Sequence, residues 1–177
     1  MSSHLHESYL VTGGARSGKS RYALGLARGL AARVGVVATA RALDADMAAR
    51  IARHRAERPA DWPTVEEPTE ILAACDRLAG AVDTILVDCV TVWAANRLLR
   101  GDPDEAILAG ADALAGFLGA RRACLVLVTN EVGDGVHPPT ADGLRFRDLL
   151  GQVNQRLAAA ADHVTLMVAG LPLAVKP

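Results

Sequence analysis

Residues 13–20 read GGARSGKS, a complete G-x-x-x-x-G-K-S string that follows an apolar run and opens a helical pattern. With those flanks the string predicts a phosphate-binding loop. Gly13, Gly14 and Gly18 let the backbone turn its N–H groups inward around a β-phosphate, and Ala15, Arg16 and Ser17 complete the loop. The helix opening near Lys19 aims its positive end at the same anion, Lys19 spans the β- and γ-phosphates, and the Ser20 hydroxyl is a ligand for Mg2+. An acidic partner for that metal is expected at the end of another strand, and Asp88, closing TILVD at 84–88, is the candidate. Glu131, just after the apolar run 125–129, either orients a nucleophile or a water or fixes its own turn, and the sequence leaves both open.

A second reactive group lies at 43–58, LDADMAARIARHRAER, where Asp44 and Asp46 stand early and arginines late, as a helix dipole favours. At about 100° per residue Met47, Ile51, His54 and Arg58 share one stripe, so His54 is expected on the inward face. A histidine there is either a hydrogen-bonded core residue or a catalyst. Arg50, Arg55 and Arg58 lie within helical reach of it, which suits an anionic ligand as well as a solvated basic helix end.

The elements that must position these groups follow from the hydropathy pattern. Short runs rich in Val, Ile and Leu at 9–12, 34–39, 84–88, 125–129 and 164–169 predict strands buried on both faces. Between them, helical spacing covers roughly 19–32, 42–58, 69–79, 90–99, 103–120 and 141–161. The alternation predicts an α/β fold, a mostly parallel central sheet with helices on both faces, with ligands beyond the carboxyl ends of the strands.

The chain has 177 residues, 51% of them hydrophobic, with a net charge of −1, which is one domain with a full core. Residues 1–8 are expected to be a flexible tail and 9–177 the catalytic domain. The balanced charge offers no basic excess for nucleic acid, and no stretch approaches the roughly 20 apolar residues of a membrane helix. Cys75, Cys89 and Cys124 are widely spaced and unpaired in pattern, and read as buried thiols in a reducing, cytoplasmic setting. No NKxD string is present, and the DxxG match at 148–151 lies inside a helical pattern, so a GTPase switch is excluded. The size suits a small-molecule kinase or a nucleotidyltransferase. A kinase of some other hydroxylated metabolite with a structural His54, or a nucleotide-binding regulatory module, would carry the same loop.

Five blocks in order, GGARSGKSR at 13–21, DADMAARIARHRAERPADW at 44–62, LVDCVTVWAAN at 86–96, LVTNEVGDGVHP at 127–138 and RFRDLLGQVNQRLAAAAD at 145–162, resemble the bifunctional adenosylcobinamide kinase/adenosylcobinamide-phosphate guanylyltransferases of cobalamin biosynthesis. The histidine block and TNEVG are the specific part of that resemblance. It implies a RecA-like P-loop NTPase fold, a homotrimer, Mg2+, and GTP and ATP as substrates. It also implies two acceptors, adenosylcobinamide phosphorylated on its aminopropanol hydroxyl and adenosylcobinamide phosphate receiving GMP. His54 matches the family's guanylylated histidine. Carried over position by position, the nucleotide contacts are Gly13 through Ser20, Ala38, Thr39 and Ala40, then Arg55, Ala56, Glu57 and Arg58, then Glu66 and Asp88. Family members carry Asp or Glu at the position of Asp88, and either serves Mg2+.

Overall fold

The computed structural model describes residues 6–177. In chain order it holds β1 (Ser8–Gly13), α1 (Lys19–Leu30), β2 (Val34–Ala38), α2 (Ala45–Ala56), β3 (Thr64–Glu66), α3 (Ile71–Leu78) and β4 (Thr84–Asp88). It continues with α4 (Val90–Arg100), α5 (Asp104–Gly119), β5 (Cys124–Val128), α6 (Ala141–Ala160), β6 (His163–Val168) and β7 (Leu171–Lys176). The seven strands form one sheet in the order β3-β2-β4-β5-β1-β6-β7. All neighbours are parallel except β6 and β7.

Burial explains the sheet. Strand β5 is buried at every position, and β4 at all but Asp88, because helices cover both faces. On one face Leu10, Ile85 and Leu125 pack against α3 to α6 through Cys75, Trp93, Leu114 and Leu150. On the other, Val11, Leu86 and Val126 pack against Ala23, Leu24 and Ala27 of α1, with Trp62 closing the layer. Among the described residues no helix is long and apolar enough to cross a membrane.

The predicted mostly parallel α/β sheet is what is found, with two additions and one correction. Strand β3 has three residues, Thr64 and Glu66 exposed and Val65 half-buried, too short for an apolar run. Strand β7 carries Pro172 and is exposed throughout, as an edge strand tolerates. The expected tail at 1–8 is too long. Ser8 is buried in β1, and its N–H and hydroxyl both donate to Asp162 at 2.9 and 2.8 Å, so the folded chain begins before Tyr9. The rest of that tail, 1–5, lies outside the described residues. Helix α2 carries the expected stripe, with Met47, Ile51, His54 and Arg58 half-buried on the cavity side. Asp44 caps it by accepting from the Met47 N–H at 2.7 Å, yet the helix buries no residue. Its apolar stripe faces an open cavity, so His54 is not a core histidine.

Candidate active site

The reactive groups gather at the carboxyl ends of the strands. Gly13 ends β1 at φ 153°, where an added Cβ would meet the Met167 carbonyl oxygen at 2.7 Å, and Gly18 turns into α1 at φ 91°. No side chain fits at Gly13. The hairpin turn joining β6 to β7 braces the loop from outside, since the Gly170 N–H donates to the Ser17 carbonyl at 3.0 Å. From the other side the Glu131 N–H donates to the Gly13 carbonyl at 3.0 Å. Lys19 is 8% exposed, and its Nζ donates to the Gly14 carbonyl at 2.9 Å. Burial holds its ammonium below the ordinary lysine range, with Cys89, Arg50 and Asp88 the charged groups that act on it. Ser17 Oγ is buried with no partner among the described residues.

Strand β5 stands between β1 and β4, so Asp88 is one strand removed from the phosphate loop. Its carboxylate is the hub of the site. Oδ2 accepts from His54 Nδ1 at 3.2 Å and from Arg58 Nη2 at 3.1 Å. A carboxylate can only accept, so Nδ1 carries a proton, and in the neutral ring the lone pair is then on Nε2. Burial pushes the Asp88 carboxyl up, but the hydrogen bonds and charges of His54 and Arg58 outweigh it and hold the group below the usual carboxylate range. Oδ1 has no partner among the described residues. That leaves one hard oxygen which, with the Ser20 hydroxyl, fits Mg2+. Among the described residues no group of three His, Cys, Asp or Glu could hold a metal by itself, so the protein's share of such a site is small.

A cavity of about 490 Å3 opens beside this hub, lined by α2, by the ends of β2 and β4, and by 66–68. It brings together Ala38, Ala40, His54, Arg55, Arg58, Glu66 and Asp88 from the expected set. Ala56 and Glu57 do not line it, and both are exposed. The Glu57 carbonyl instead accepts from Arg28 at 3.2 Å. Thr39 is fully buried, and its hydroxyl is spent on the backbone of Cys89, donating to the carbonyl and accepting from the N–H at 2.8 Å each. Glu66 pairs with Arg55 at the rim. The turn-fixing reading of Glu131 has geometric support, since its carboxylate accepts from the Gly133 N–H at 2.9 Å. Cys75 and Cys124 are buried free thiols as expected, whereas Cys89 is only partly buried and lines the cavity.

Two polar clasps were not foreseen from sequence. Asn96 donates to the carbonyls of Thr39 and Pro68 at 2.9 and 3.0 Å, fixing the two segments that flank the cavity. Thr129 donates to Asn154 Oδ1 at 2.7 Å, and Asn154 donates to the Asn130 carbonyl at 3.0 Å, which fixes the end of β5. Their signal is a polar residue on the apolar stripe of a buried helix.

The comparisons with known proteins agree with this geometry. Residues 9–175 match the family described as cobinamide kinase / cobinamide phosphate guanyltransferase. The bifunctional adenosylcobalamin biosynthesis protein CobP of Pseudomonas aeruginosa is 44% identical over 167 residues, covering 94% of this chain and 96% of that one. The corresponding CobU proteins of Salmonella typhimurium and Escherichia coli are each 42% identical, over 94% of this chain and 98% of theirs. A KaiC-like protein of Pyrococcus horikoshii superposes with a TM-score of 0.52 at 17% identity, over 91% of this chain and 70% of that one, which speaks for the RecA-like P-loop fold alone. With the family pattern matched from β1 through β7 and the phosphate loop and histidine hub both in place, the chain belongs to the cobinamide kinase / cobinamide phosphate guanyltransferase family.

Proposed function

We propose that this protein phosphorylates adenosylcobinamide on its aminopropanol hydroxyl and then transfers GMP from GTP to the product, giving adenosylcobinamide-GDP in cobalamin biosynthesis. In the first step the phosphate loop holds a nucleoside triphosphate, ATP or GTP, and Lys19 neutralises charge that grows on the β–γ bridge. Ser20 and Asp88 Oδ1 would hold Mg2+, which supplies charge neutralisation on the phosphates when bound. In the second step Nε2 of His54 attacks the α-phosphorus of GTP, pyrophosphate leaves, and the histidine holds GMP until the acceptor phosphate takes it. Asp88 keeps the proton on Nδ1 and so keeps the nucleophilic lone pair on Nε2. Gly13 through Ser20 contact the phosphates. The cavity side of Ala38, Ala40, Arg55, Arg58 and Glu66 receives the rest of the nucleotide.

One observation carries this reading, the 3.2 Å contact of His54 Nδ1 with Asp88 beside an open cavity. A structural histidine has no need of a cavity on its free nitrogen. A homotrimer belongs to the same reading, supported by the apolar face of β7, where Leu171, Leu173 and Val175 are 71%, 56% and 61% exposed. A cytoplasmic location also belongs to it, supported by three free cysteines.

The test uses GTP labelled at the α- or the γ-phosphate. The α-label is expected on the protein, lost in acid and stable in alkali, with no γ-label retained. His54→Ala is expected to abolish the adduct and guanylyl transfer while phosphorylation of adenosylcobinamide persists. Uptake of α-label by the alanine variant with the same acid lability would assign the nucleophile to another residue.

A further inference from the structure

The arginines around the cavity are not equivalent. Arg58 is committed to Asp88 and Arg55 to Glu66. Arg50 lines the same cavity, is exposed, and makes no side-chain hydrogen bond or ion pair among the described residues. It stands one helical turn before His54 on α2, so the two side chains project from the same face toward the same space. Arg50 and His54 thus face one cavity, and Arg50 brings to it a guanidinium with no partner among the described residues. A guanidinium without a carboxylate, beside a histidine and over an open cavity, marks a place for an anion. An arginine merely solvated at a helix surface would not line the cavity.

We propose that Arg50 is a catalytic residue of the guanylyl-transfer step, its guanidinium donating to the oxygen that bridges the α- and β-phosphates of GTP. This rests on the function proposed above. In that step the Nε2 lone pair of His54 forms the N–P bond and the bond from the α-phosphorus to the bridging oxygen breaks. Both electrons of the broken bond leave with pyrophosphate. The Nδ1 proton stays on the ring, hydrogen-bonded to Asp88, and Arg50 gives up no proton. Negative charge therefore accumulates on the bridging oxygen, and a fork of N–H donors beside His54 meets it there. The kinase step breaks the β–γ bond instead, where Lys19 is the donor, and depends on Arg50 far less. The two reactions of one loop thus draw on different cations.

The experiment compares Arg50→Ala and Arg50→Lys with the unaltered protein. Single-turnover incorporation of α-labelled GTP is followed at saturating GTP, alongside phosphorylation of adenosylcobinamide by ATP. Arg50→Ala is expected to slow adduct formation by about a hundredfold or more, the scale of losing one transition-state donor. Its kinase rate and thermal melting are expected to change little, and Arg50→Lys is expected to recover part of the loss. A variant that forms the adduct at the unaltered rate once GTP is raised would overturn the proposal, because Arg50 would then only attract nucleotide. An equal loss in both reactions would overturn it too. If the unaltered protein takes up no α-label, the proposed function and this role fall together; if it labels and Arg50→Ala labels equally fast, only the role of Arg50 falls.

Discussion

The phosphate loop and helix α2 face each other at one end of the sheet and are held there by different forces. The loop is fastened by backbone hydrogen bonds on two sides, through Glu131 and Gly170, and its lysine is buried. Helix α2 buries nothing and is attached through side chains, by the hydrogen bond of His54 to Asp88 and the ion pairs of Arg58 with Asp88 and Arg55 with Glu66. Backbone donors neither titrate nor change rotamer, which suits an anion cradle that both reactions share. Ion pairs can be exchanged for contacts with a charged ligand, which suits a nucleophile needed in only one of them. The same chain thus keeps its binding element rigid and its reacting element adjustable.

The sharpest way to break this contrast is to remove the cation of the rigid half. Lys19→Ala is expected to lower kinase turnover by at least about a hundredfold. Because the loop is held by its backbone, the variant is expected to melt near the unaltered temperature. Near-normal phosphorylation of adenosylcobinamide by it would end the assignment of the loop.

Asp88→Asn tests the joint between the halves. A neutral amide loses the charge that holds both His54 and Arg58, so the Mg2+ requirement is expected to change and guanylylation to fall. The cost to stability at neutral pH is expected to be about 1–3 kcal/mol, the scale of leaving a buried partner unsatisfied. The pH dependence has a definite sign. The native carboxyl of Asp88 lies below its unfolded value of about 3.9, so its contribution is complete above that pH and is lost as pH falls through the native value. Denaturant melts of the two proteins should therefore converge as the solution is acidified. A gap that is constant with pH would mean that the carboxylate charge contributes nothing.

The smallest effect is expected at the rim. The side chains of Arg55 and Glu66 are 64% and 63% exposed, so Arg55→Ala should move stability by less than about 1 kcal/mol. Its effect is expected in the KM for GTP. A large loss of stability would show that α2 is fixed more firmly than its surface pairs allow.

The sequence made the phosphate loop legible because its function depends on local backbone geometry, and a run of eight residues encodes that geometry whole. Asp88 was legible as the polar end of an apolar strand, and the strand–helix alternation specified the parallel sheet. The face of α2 was only half legible. Periodicity grouped Met47, Ile51, His54 and Arg58 correctly, but a stripe against a cavity and a stripe against a core have the same spacing. Thr39 comes only from the family resemblance, and its hydroxyl is occupied by the backbone of Cys89. Asn96 and Asn154 act across 57 and 24 residues of sequence, on carbonyls that no local pattern marks.

The Gly170 contact ties the nucleotide site to the outermost hairpin. Strand β7 is exposed at every residue and has a neighbour on one side only, so it is the part of the sheet most open to fraying. When it frays, the donor to Ser17 is released while the core strands β4 and β5 remain packed. Affinity for phosphate would then weaken in a molecule that is still folded, and nucleotide present in solution would, by the same linkage, protect the amides of the last hairpin from exchange.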